Sequence, residues 1–315
     1  MEDQPQIKVI GGYFGLECGN NPLYYKDGIY LNSCRNAIRY LIRAWGIKKI
    51  HIPVFTCSAV EEAINKEHCR IIKYNIDENF FPFQNIPQND FLIYNNYFGL
   101  TTKKVKQLSK IFPNLIVDNA QAFFANQYGR ASIYSLRKFF GVPDGGIIRG
   151  EDIPELPIDK SVSYNVMTHL LVRKDLGAQA GYPFFIKDEE SIDIFPVKSI
   201  SKLTRSLLGN IDYSKVIRKR LENYKYLSDK LCSIFHINKN EKDVPLVYPY
   251  FVNNGDEIRK KLISCNIFCA RYWPNVLQDK SVTPFEMNMA KNIISLPVDQ
   301  RYGKEEMDYL LKKLQ

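Results

Sequence analysis

Short apolar runs alternate with amphipathic stretches through the first half of the chain. Between residues 30 and 148, segments typical of buried strands are separated by segments with apolar residues at every third or fourth position. The predicted strands are residues 49–54, 70–74, 90–94, 115–117 and 145–148, and the predicted helices are residues 36–45 and 58–66. This order favours βαβ units and a mostly parallel sheet, which is the α/β class.

The pattern changes after residue 150. Residues 152–191 are polar, contain Pro and Gly and have no clear period, so we expect an irregular, flexible or partner-contacting loop. A long helical pattern follows over residues 200–235. The remaining predicted elements are a strand at 244–252, a helix at 256–265, a strand at 267–272 and an amphipathic helix at 304–314. We predict a large α/β domain over residues 1–195, with an N-terminal arm at 1–28, and a bridging helix with a small α+β domain over residues 196–315.

Composition narrows the class of protein. A chain of 315 residues with 20 Tyr and 19 Phe can bury a core without covalent staples. Its seven cysteines form no CxxC pair and show no metal-ligand spacing, and an odd number suits a reducing compartment. Residues 1–6 lack the basic and apolar regions of a signal peptide, and no run approaches the ~18 apolar residues of a membrane span. We therefore predict a cytoplasmic protein without a metal site or a membrane partner.

The formal charge of +9 is spread along the chain and is densest at residues 215–220. Such a surface attracts anions such as phosphates or nucleotides, although a run of this kind is also typical of a solvated helix face. The sequence contains no nucleic-acid-binding module and no basic strand interleaved with aromatic residues. We predict no nucleic-acid partner.

An acid and a lysine lie in two consecutive loops at strand ends. Residues 114–122 (NLIVDNAQA) carry an apolar strand that ends at Asp118, and residues 135–146 (SLRKFFGVPDGG) contain Lys138. Ligands of parallel α/β sheets bind outside the carboxyl ends of the strands. Pyridoxal phosphate enzymes need a lysine that holds the cofactor's aldehyde and an acid beside the ring nitrogen. Asp118 and Lys138 are candidates for these two roles.

Five segments together resemble the DegT/DnrJ/EryC1/StrS family of sugar aminotransferases, and the resemblance covers nearly the whole chain. The segments are residues 31–38, 52–57, 118–121, 138–146 and 295–302. The resemblance implies a fold type I pyridoxal phosphate-dependent transferase with a seven-stranded, mostly parallel sheet flanked by helices. It also implies a homodimer that moves an amino group, with glutamate as the donor, to a keto sugar carried on a nucleotide. Such reactions belong to deoxyamino-sugar and surface polysaccharide biosynthesis.

The resemblance assigns roles to three residues near the strand ends. Lys138 matches the lysine that holds the cofactor and later moves a proton, and burial beside Arg137 is expected to lower its pKa. Asp118 matches the acid that pairs with the pyridine nitrogen, and Gln121 matches a contact on the side of the ring hydroxyl. The simpler interpretations are a surface lysine, a helix N-cap at Asp118 and an exposed helix glutamine. A lysine at this position argues against the family's dehydratases, for which the resemblance implies histidine.

The phosphate of the cofactor requires backbone donors at a helix N-terminus together with hydroxyl groups. Ser33, Cys34 and Arg35 match the family's serine-glycine-threonine turn but replace its last two residues. Arg35 supplies a charge that can compensate for this change. Ser135, three residues before Lys138, is the preferred candidate for a second hydroxyl that binds the phosphate, and Ser132 is the alternative.

Aromatic residues mark two further expectations. The family's ring-stacking position aligns with Cys57, so nearby Phe55 is the candidate that stacks on the cofactor or, alternatively, a core residue. Tyr97 or Phe98, which follow another predicted strand, are expected to border the substrate pocket.

The largest departure from the family lies in residues 163–206. The glycine-asparagine-arginine motif, whose asparagine reaches the neighbouring subunit's cofactor, is absent, and the region offers Asn165, Arg173 and Arg205 instead. This departure motivates a second hypothesis, in which the chain binds the cofactor or a sugar nucleotide without turnover and acts as a regulatory or scaffold protein. A third is an unrelated α/β protein in which the acid and the lysine are coincidental.

Overall fold

The computed structural model describes residues 10–232, 234–237 and 243–314. The first nine residues of the predicted arm, which include the segment examined for a signal peptide, lie outside the described residues.

The described residues contain a seven-stranded sheet whose order is β1-β7-β6-β5-β4-β2-β3. Its strands are β1 (Ile29–Leu31), β2 (Lys49–Pro53), β3 (Arg70–Tyr74), β4 (Phe91–Asn95), β5 (Leu115–Asp118), β6 (Ala131–Ser135) and β7 (Gly146–Gly150). Strands β2 to β6 pair in parallel, whereas β7 is antiparallel to both β6 and β1. The predicted α/β fold with a seven-stranded, mostly parallel sheet is confirmed.

Helices cover the connections between these strands. They are α1 (Cys34–Trp45), α2 (Ser58–Asn65) and α3 (Thr102–Leu108). Helix α1 begins where the Ser33 side chain accepts a hydrogen bond from the backbone N–H of Asn36, and it ends at Gly46, which adopts the left-handed conformation with φ 61°. The start of α1 therefore has a fixed position next to β1.

The two faces of the sheet bury different side chains because successive strand residues point to opposite sides. On one face, Ile93 and Ile116 join an aliphatic core that includes Leu41 of α1. On the other face, Tyr94 and Val117 join a core rich in aromatic rings. Burial on both faces explains the nearly continuous apolar strands in the sequence.

The second half of the chain contains mostly helices and a small sheet. Its elements are α4 (Thr168–Leu176), α5 (Ala178–Asp193), α6 (Lys202–Leu208), α7 (Tyr213–Ser228), β8 (Val247–Phe251), α8 (Gly255–Ser264), α9 (Pro284–Asn292), β9 (Ile293–Pro297) and α10 (Lys304–Leu314). Strands β8 and β9 form an antiparallel pair. The division of the chain near residue 195 stays a prediction.

Three predictions for this half are wrong. The segment predicted to be irregular contains the α4–α5 hairpin, whose helices meet at Gly177 and expose much of their surface, so their periodicity is weak. The long helix predicted over residues 200–235 is interrupted between α6 and α7, and it includes residue 233, which is not described. Residues 267–272 form no strand, because they pair with no described strand.

No helix within the described residues has the length and apolar character that crossing a bilayer requires.

A buried carboxylate joins α9 to the segment that follows β3. Glu286 is fully buried and accepts hydrogen bonds from the Asn75 side chain at 2.7 Å, from the Ile76 N–H at 3.0 Å and from the Thr283 N–H at 3.0 Å. Without this carboxylate, the three donors would be buried with no acceptor. The loss of such a buried partner lowers the free energy of unfolding by about 3–5 kcal/mol.

We therefore expect Glu286→Ala to lower the free energy of unfolding, measured by urea titration, by about 3–5 kcal/mol. Glu286→Gln keeps an acceptor oxygen and is expected to lose less. The exposed Glu305 serves as the control, and Glu305→Ala is expected to leave the midpoint nearly unchanged. A Glu286→Ala midpoint equal to that of the control would show that α9 is not held in this way.

Candidate active site at the strand ends

A cavity of about 270 Å³ lies at the carboxyl ends of β5 and β6, and we call it the strand-end cavity. Parallel strands end on the same edge of a sheet, so Asp118 at the end of β5 and Ser135 at the end of β6 open onto the same space. Eight of the residues singled out from the sequence line this cavity: Ser33, Cys34, Arg35, Cys57, Asp118, Ser135, Arg137 and Lys138.

The N-terminus of α1 reaches this edge because β1 pairs with β7. Gly146 of β7 lies against the turn before α1, and a Cβ atom at Gly146 would be 2.5 Å from the carbonyl carbon and oxygen of Ser33. Only a glycine permits this close approach. The first-turn backbone N–H groups of α1 and the hydroxyl of Ser135 thus flank one end of the cavity, as an anion requires.

Asp118 is held by the turn that follows β5. Its Oδ1 accepts a hydrogen bond from the backbone N–H of Ala120 at 2.8 Å. Burial raises the pKa of this carboxyl group, while the positive charge of Lys138 and the Ala120 hydrogen bond act in the opposite direction. A cationic partner inside the cavity would stabilise the ionised form of Asp118.

Lys138 lies at the boundary between the strand-end cavity and a second cavity of about 400 Å³, which we call the adjoining cavity. The lysine is exposed in this single chain, so the expectation that it is buried is wrong here. It forms no ion pair with any described residue. Its amino group is therefore free to react with a carbonyl group that enters either cavity.

Two arginines of the strand-end cavity pair with acids of α5. Arg35 forms an ion pair with Asp193 and lies 4.0 Å from Glu189, which also pairs with Arg137. The Nε atoms of both arginines are buried without a hydrogen-bond partner among the described residues. These unused donors fit a phosphate group, which accepts several hydrogen bonds from guanidinium groups.

Gln121 and Phe55 lie outside the set of residues that line the strand-end cavity. Gln121 is buried rather than exposed, and its Oε1 accepts a hydrogen bond from the Phe98 N–H at 2.8 Å. Phe55 is fully buried and packs on Tyr97 and Trp273, with ring centroids 5.6 and 4.9 Å away. The structure therefore places Phe55 in the core, which was the alternative interpretation.

Other candidates from the sequence have structural partners of their own. The Ser132 hydroxyl bonds to the backbone of Tyr128, and Ser132 does not line the strand-end cavity. Tyr97 and Phe98 are fully buried and line neither cavity, so the expectation that they border a substrate pocket is wrong. In the region of the missing motif, Arg205 lies over the Tyr30 ring, and Asn165 is exposed.

The adjoining cavity contains residues that sequence reasoning missed. Helix α4 contributes His169, and α5 contributes Phe185, which lines both cavities. Asp299 and Arg301, from the conspicuous segment 295–302, also line it and form a two-point ion pair with N–O distances of 2.7 and 2.8 Å. The segment at 295–302 was the available signal, whereas nothing in the α4–α5 pattern pointed to a site.

The fold is that of the pyridoxal phosphate-dependent aminotransferases of fold type I. No family model matches the sequence, and no curated protein matches it. Among solved structures, a DegT DnrJ EryC1 StrS aminotransferase from Brucella abortus is similar, with a TM-score of 0.60 and 13% identity over 93% of this chain and 86% of that chain.

Two further similar structures carry ligands. DesV from S. venezuelae, in complex with a ketimine intermediate, has a TM-score of 0.64 and 15% identity over 91% of this chain and 83% of that chain. DesI, in the presence of its TDP-sugar product, has a TM-score of 0.63 and 12% identity over 92% of this chain and 80% of that chain. At these identities the similarity establishes the fold.

Proposed function

We propose that this protein is a pyridoxal phosphate-dependent aminotransferase of the DegT/DnrJ/EryC1/StrS type. One observation supports this most strongly: Asp118 and Lys138, on successive strand ends, line one cavity beside the N-terminus of α1. An acid, an amine and an anion-binding helix end are the three groups that this cofactor requires.

The residues of the strand-end cavity fit the cofactor. Asp118 would hold the pyridine nitrogen, and the α1 N-terminus with Ser33, Arg35 and Ser135 would hold the phosphate. Cys34 contributes its backbone at the same turn, and burial keeps the pKa of its thiol well above the usual value. When bound, the cofactor supplies an electron sink for the carbon that loses or gains a proton.

Two side chains perform the chemistry that belongs to the protein. The Lys138 amino group would hold the cofactor through its aldehyde and, when released, would carry the proton at the substrate carbon. Asp118 stays ionised beside the protonated ring nitrogen, since a charge-assisted hydrogen bond is strong in a buried site. Gln121 lies outside the strand-end cavity, with its Nε2 buried and unpartnered among the described residues, so we assign it no contact with the cofactor.

The proposed acceptor is a keto sugar carried on a nucleotide, with glutamate as the amino donor. The adjoining cavity carries five cations and one acid: Arg137, Lys138, Arg173, Arg220, Arg301 and Asp299. This excess of positive charge suits an anionic substrate. The TDP-sugar product reported with DesI is of that class. A role in deoxyamino-sugar or polysaccharide biosynthesis would follow.

We also propose that the protein acts as a cytoplasmic homodimer. Lys138 is exposed in the single chain, and the neighbouring hairpin exposes Leu171, Leu176 and Tyr182. A second copy of the chain packed over this surface would bury these apolar groups and shield the lysine from water.

The experiment that tests the proposed function is the visible absorbance of the purified protein with pyridoxal phosphate, before and after glutamate is added. We expect a band that requires the protein and that glutamate removes. Restoration of the band by a nucleotide-linked keto sugar would complete the reaction cycle. No protein-dependent band would disprove the cofactor assignment.

One observation favours a second candidate, a protein that binds without turnover. Arg35, the cation expected at the phosphate, is already paired with Asp193 and lies near Glu189. If these acids weaken the phosphate site, the protein would bind the cofactor or a sugar nucleotide as a regulatory or scaffold component. A band that neither glutamate nor other amino acids change would favour this candidate.

A further inference from the structure

Helices α4 and α5 form a tight hairpin beside Lys138. A Cβ atom on Gly181 of α5 would lie 3.0 Å from the Cβ of Arg173 and 3.1 Å from the carbonyl oxygen of His169, so α5 packs directly on α4. Both His169 and Arg173 line the adjoining cavity, which Lys138 also lines. Residues four positions apart share one helix face, so the two side chains lie one turn from each other.

His169 is held by a carboxylate that is itself buried. Its Nδ1 lies 2.6 Å from Oδ2 of Asp188, and the exposed fractions of these residues are 8% and 4%. An ionised carboxylate only accepts hydrogen bonds, so Nδ1 carries the proton and donates it to Asp188. The Phe185 ring packs edge-on against the imidazole, with centroids 5.6 Å apart. The orientation of the ring is therefore fixed from two sides.

The other imidazole nitrogen has no hydrogen-bond partner among the described residues, because the side-chain contact of His169 is made through Nδ1. A buried, oriented histidine with one free nitrogen facing a cavity is typical of a functional position. In the doubly protonated imidazole both ring nitrogens donate, so Nε2 can donate to a bound oxyanion while Nδ1 donates to Asp188.

The charges around His169 differ in whether they are already paired. Arg137 pairs with Glu189, and Arg301 pairs with Asp299. Arg220 donates to the carbonyl oxygens of Pro245 and Leu246 and stacks on a ring. In the part of the chain that the structure describes, Arg173 and Lys138 have no ion-pair partner. The cavity is thus lined by two cations without an ion-pair partner, together with His169.

We propose that Arg173 and the doubly protonated ring of His169 bind an oxyanion of the substrate, and that Asp188 is the positioning residue of His169. The proposal rests on the proposed function, because it places this oxyanion in the cavity shared with Lys138. The oxyanion is either the distal carboxylate of the amino donor or a phosphate of the keto-sugar nucleotide. Both groups bind guanidinium and imidazolium through the same charge-assisted hydrogen bonds.

Two non-reactive probes test the proposal on the full-length protein with excess pyridoxal phosphate in the buffer. Isothermal titration calorimetry measures the binding of glutarate, which represents the donor, and of inorganic pyrophosphate, which represents the nucleotide. We expect one of the two to bind, and His169→Gln and Arg173→Gln to weaken it at least about tenfold. The probe that responds identifies the source of the oxyanion.

Lys174 provides the matched control, since it is an exposed cation in the same turn of α4 that does not line the cavity. Lys174→Gln changes the net charge as Arg173→Gln does and is expected to leave probe binding unchanged. Equal losses of probe affinity in Arg173→Gln and Lys174→Gln would indicate a general effect of net charge and would overturn the proposal. Failure of both probes to bind the wild-type protein would overturn it as well.

The positioning role of Asp188 has a readout of its own. Nitrogen-15 NMR of the His169 ring distinguishes the two tautomers. We expect Asp188→Ala to move the proton of the neutral ring toward Nε2 in the probe-free protein. Probe binding weakens because the ring loses the acceptor that fixes its orientation, whereas Asp188→Asn retains an acceptor oxygen and the Nδ1–H tautomer. An unchanged tautomer in Asp188→Ala would overturn this part of the proposal.

These measurements separate the proposal from the proposed function. Probe binding requires neither the visible absorption band nor turnover. If the probes discriminate Arg173→Gln from Lys174→Gln while no cofactor band forms, the aminotransferase assignment falls and the oxyanion site stands. If the band forms and glutamate removes it while no variant affects probe binding, the aminotransferase assignment stands and the oxyanion site is disproved.

Discussion

Lys138→Ala is expected to abolish the cofactor's protein-dependent absorption band and to lower transamination by at least about 10²–10⁴-fold, the usual contribution of a proton-transfer group. Lys138 is the one lysine among the described residues that line the strand-end cavity, and its charge acts on Asp118 and on Cys34. Without its amino group, the strand-end cavity has no amine that can bind an aldehyde covalently. The measurement is absorbance with pyridoxal phosphate, followed by stopped-flow mixing with glutamate.

A loss of activity in Lys138→Ala would report on chemistry, because the substitution is not expected to change the stability of the fold. The lysine is exposed and pairs with no described acid, so the urea midpoint of Lys138→Ala is expected to match that of the wild type. Lys110→Ala, which changes an exposed lysine beyond α3, is the activity control. A variant at 138 that keeps both the band and the turnover would exclude Lys138 as the reactive amine.

Asp118→Asn is expected to act in opposite directions on activity and on stability. Asparagine cannot carry the negative charge that stabilises a protonated pyridine nitrogen, so we expect turnover to fall by roughly 10²–10³-fold. Its side-chain oxygen can still accept the Ala120 hydrogen bond. Stability without cofactor is expected to rise by about 1 kcal/mol, as at other functional sites that carry unfavourable charges.

The stability difference between Asp118→Asn and the wild type is expected to depend on pH, and the pKa shift of Asp118 gives its sign. Burial raises the pKa of Asp118 in the folded chain, so the folded state binds the proton more tightly than the unfolded state does. The wild type therefore loses stability as the pH rises through the unfolded pKa, near 3.9, toward the folded value. In urea titrations of the cofactor-free proteins, we expect Asp118→Asn to have a higher free energy of unfolding than the wild type at pH 7. The difference should be smaller near pH 4.

Asp118→Ala removes the Ala120 hydrogen bond as well as the charge and serves as the comparison. Its stability should lie below that of Asp118→Asn. If Asp118→Asn were less stable than the wild type at pH 7, the carboxylate would be a structural cap rather than a strained functional group.

The large sheet was predictable because both of its faces are buried. Strands β4 and β5 appear in the sequence as continuous apolar runs, and β2 and the edge strand β3 as shorter ones. The predicted bounds of all four lie within one residue of the observed ones. Strand β6 was missed because its five residues, ASIYS, alternate small and polar side chains, although all five are buried. Strand β9 was missed as an element even though its residues lie in a segment that the family resemblance had marked.

The candidate site was predictable to the extent that strand ends define it. Asp118 follows an apolar run, so the rule that ligands bind beyond parallel strand ends predicts its place at the strand-end cavity. Ser135 and Lys138 follow the missed strand β6, and the family resemblance was the signal that singled them out. Phe55 was misplaced because sequence distance does not reveal which side of a turn a ring faces. The sequence could not predict that acids of α5 pair with Arg35 and Arg137, because only tertiary packing brings the α4–α5 hairpin to the cavity.

The pairing of β1 with β7 has a consequence for how the protein is made. The turn that begins α1 is among the first described parts of the chain, yet Ile29 lies opposite Ile148, and the neighbouring Gly146 accommodates Ser33. A nascent chain cannot fix this turn until nearly half of the 315 residues have left the ribosome. Ligand capture by the growing polypeptide is therefore excluded until β7 has emerged and closed the edge of the sheet.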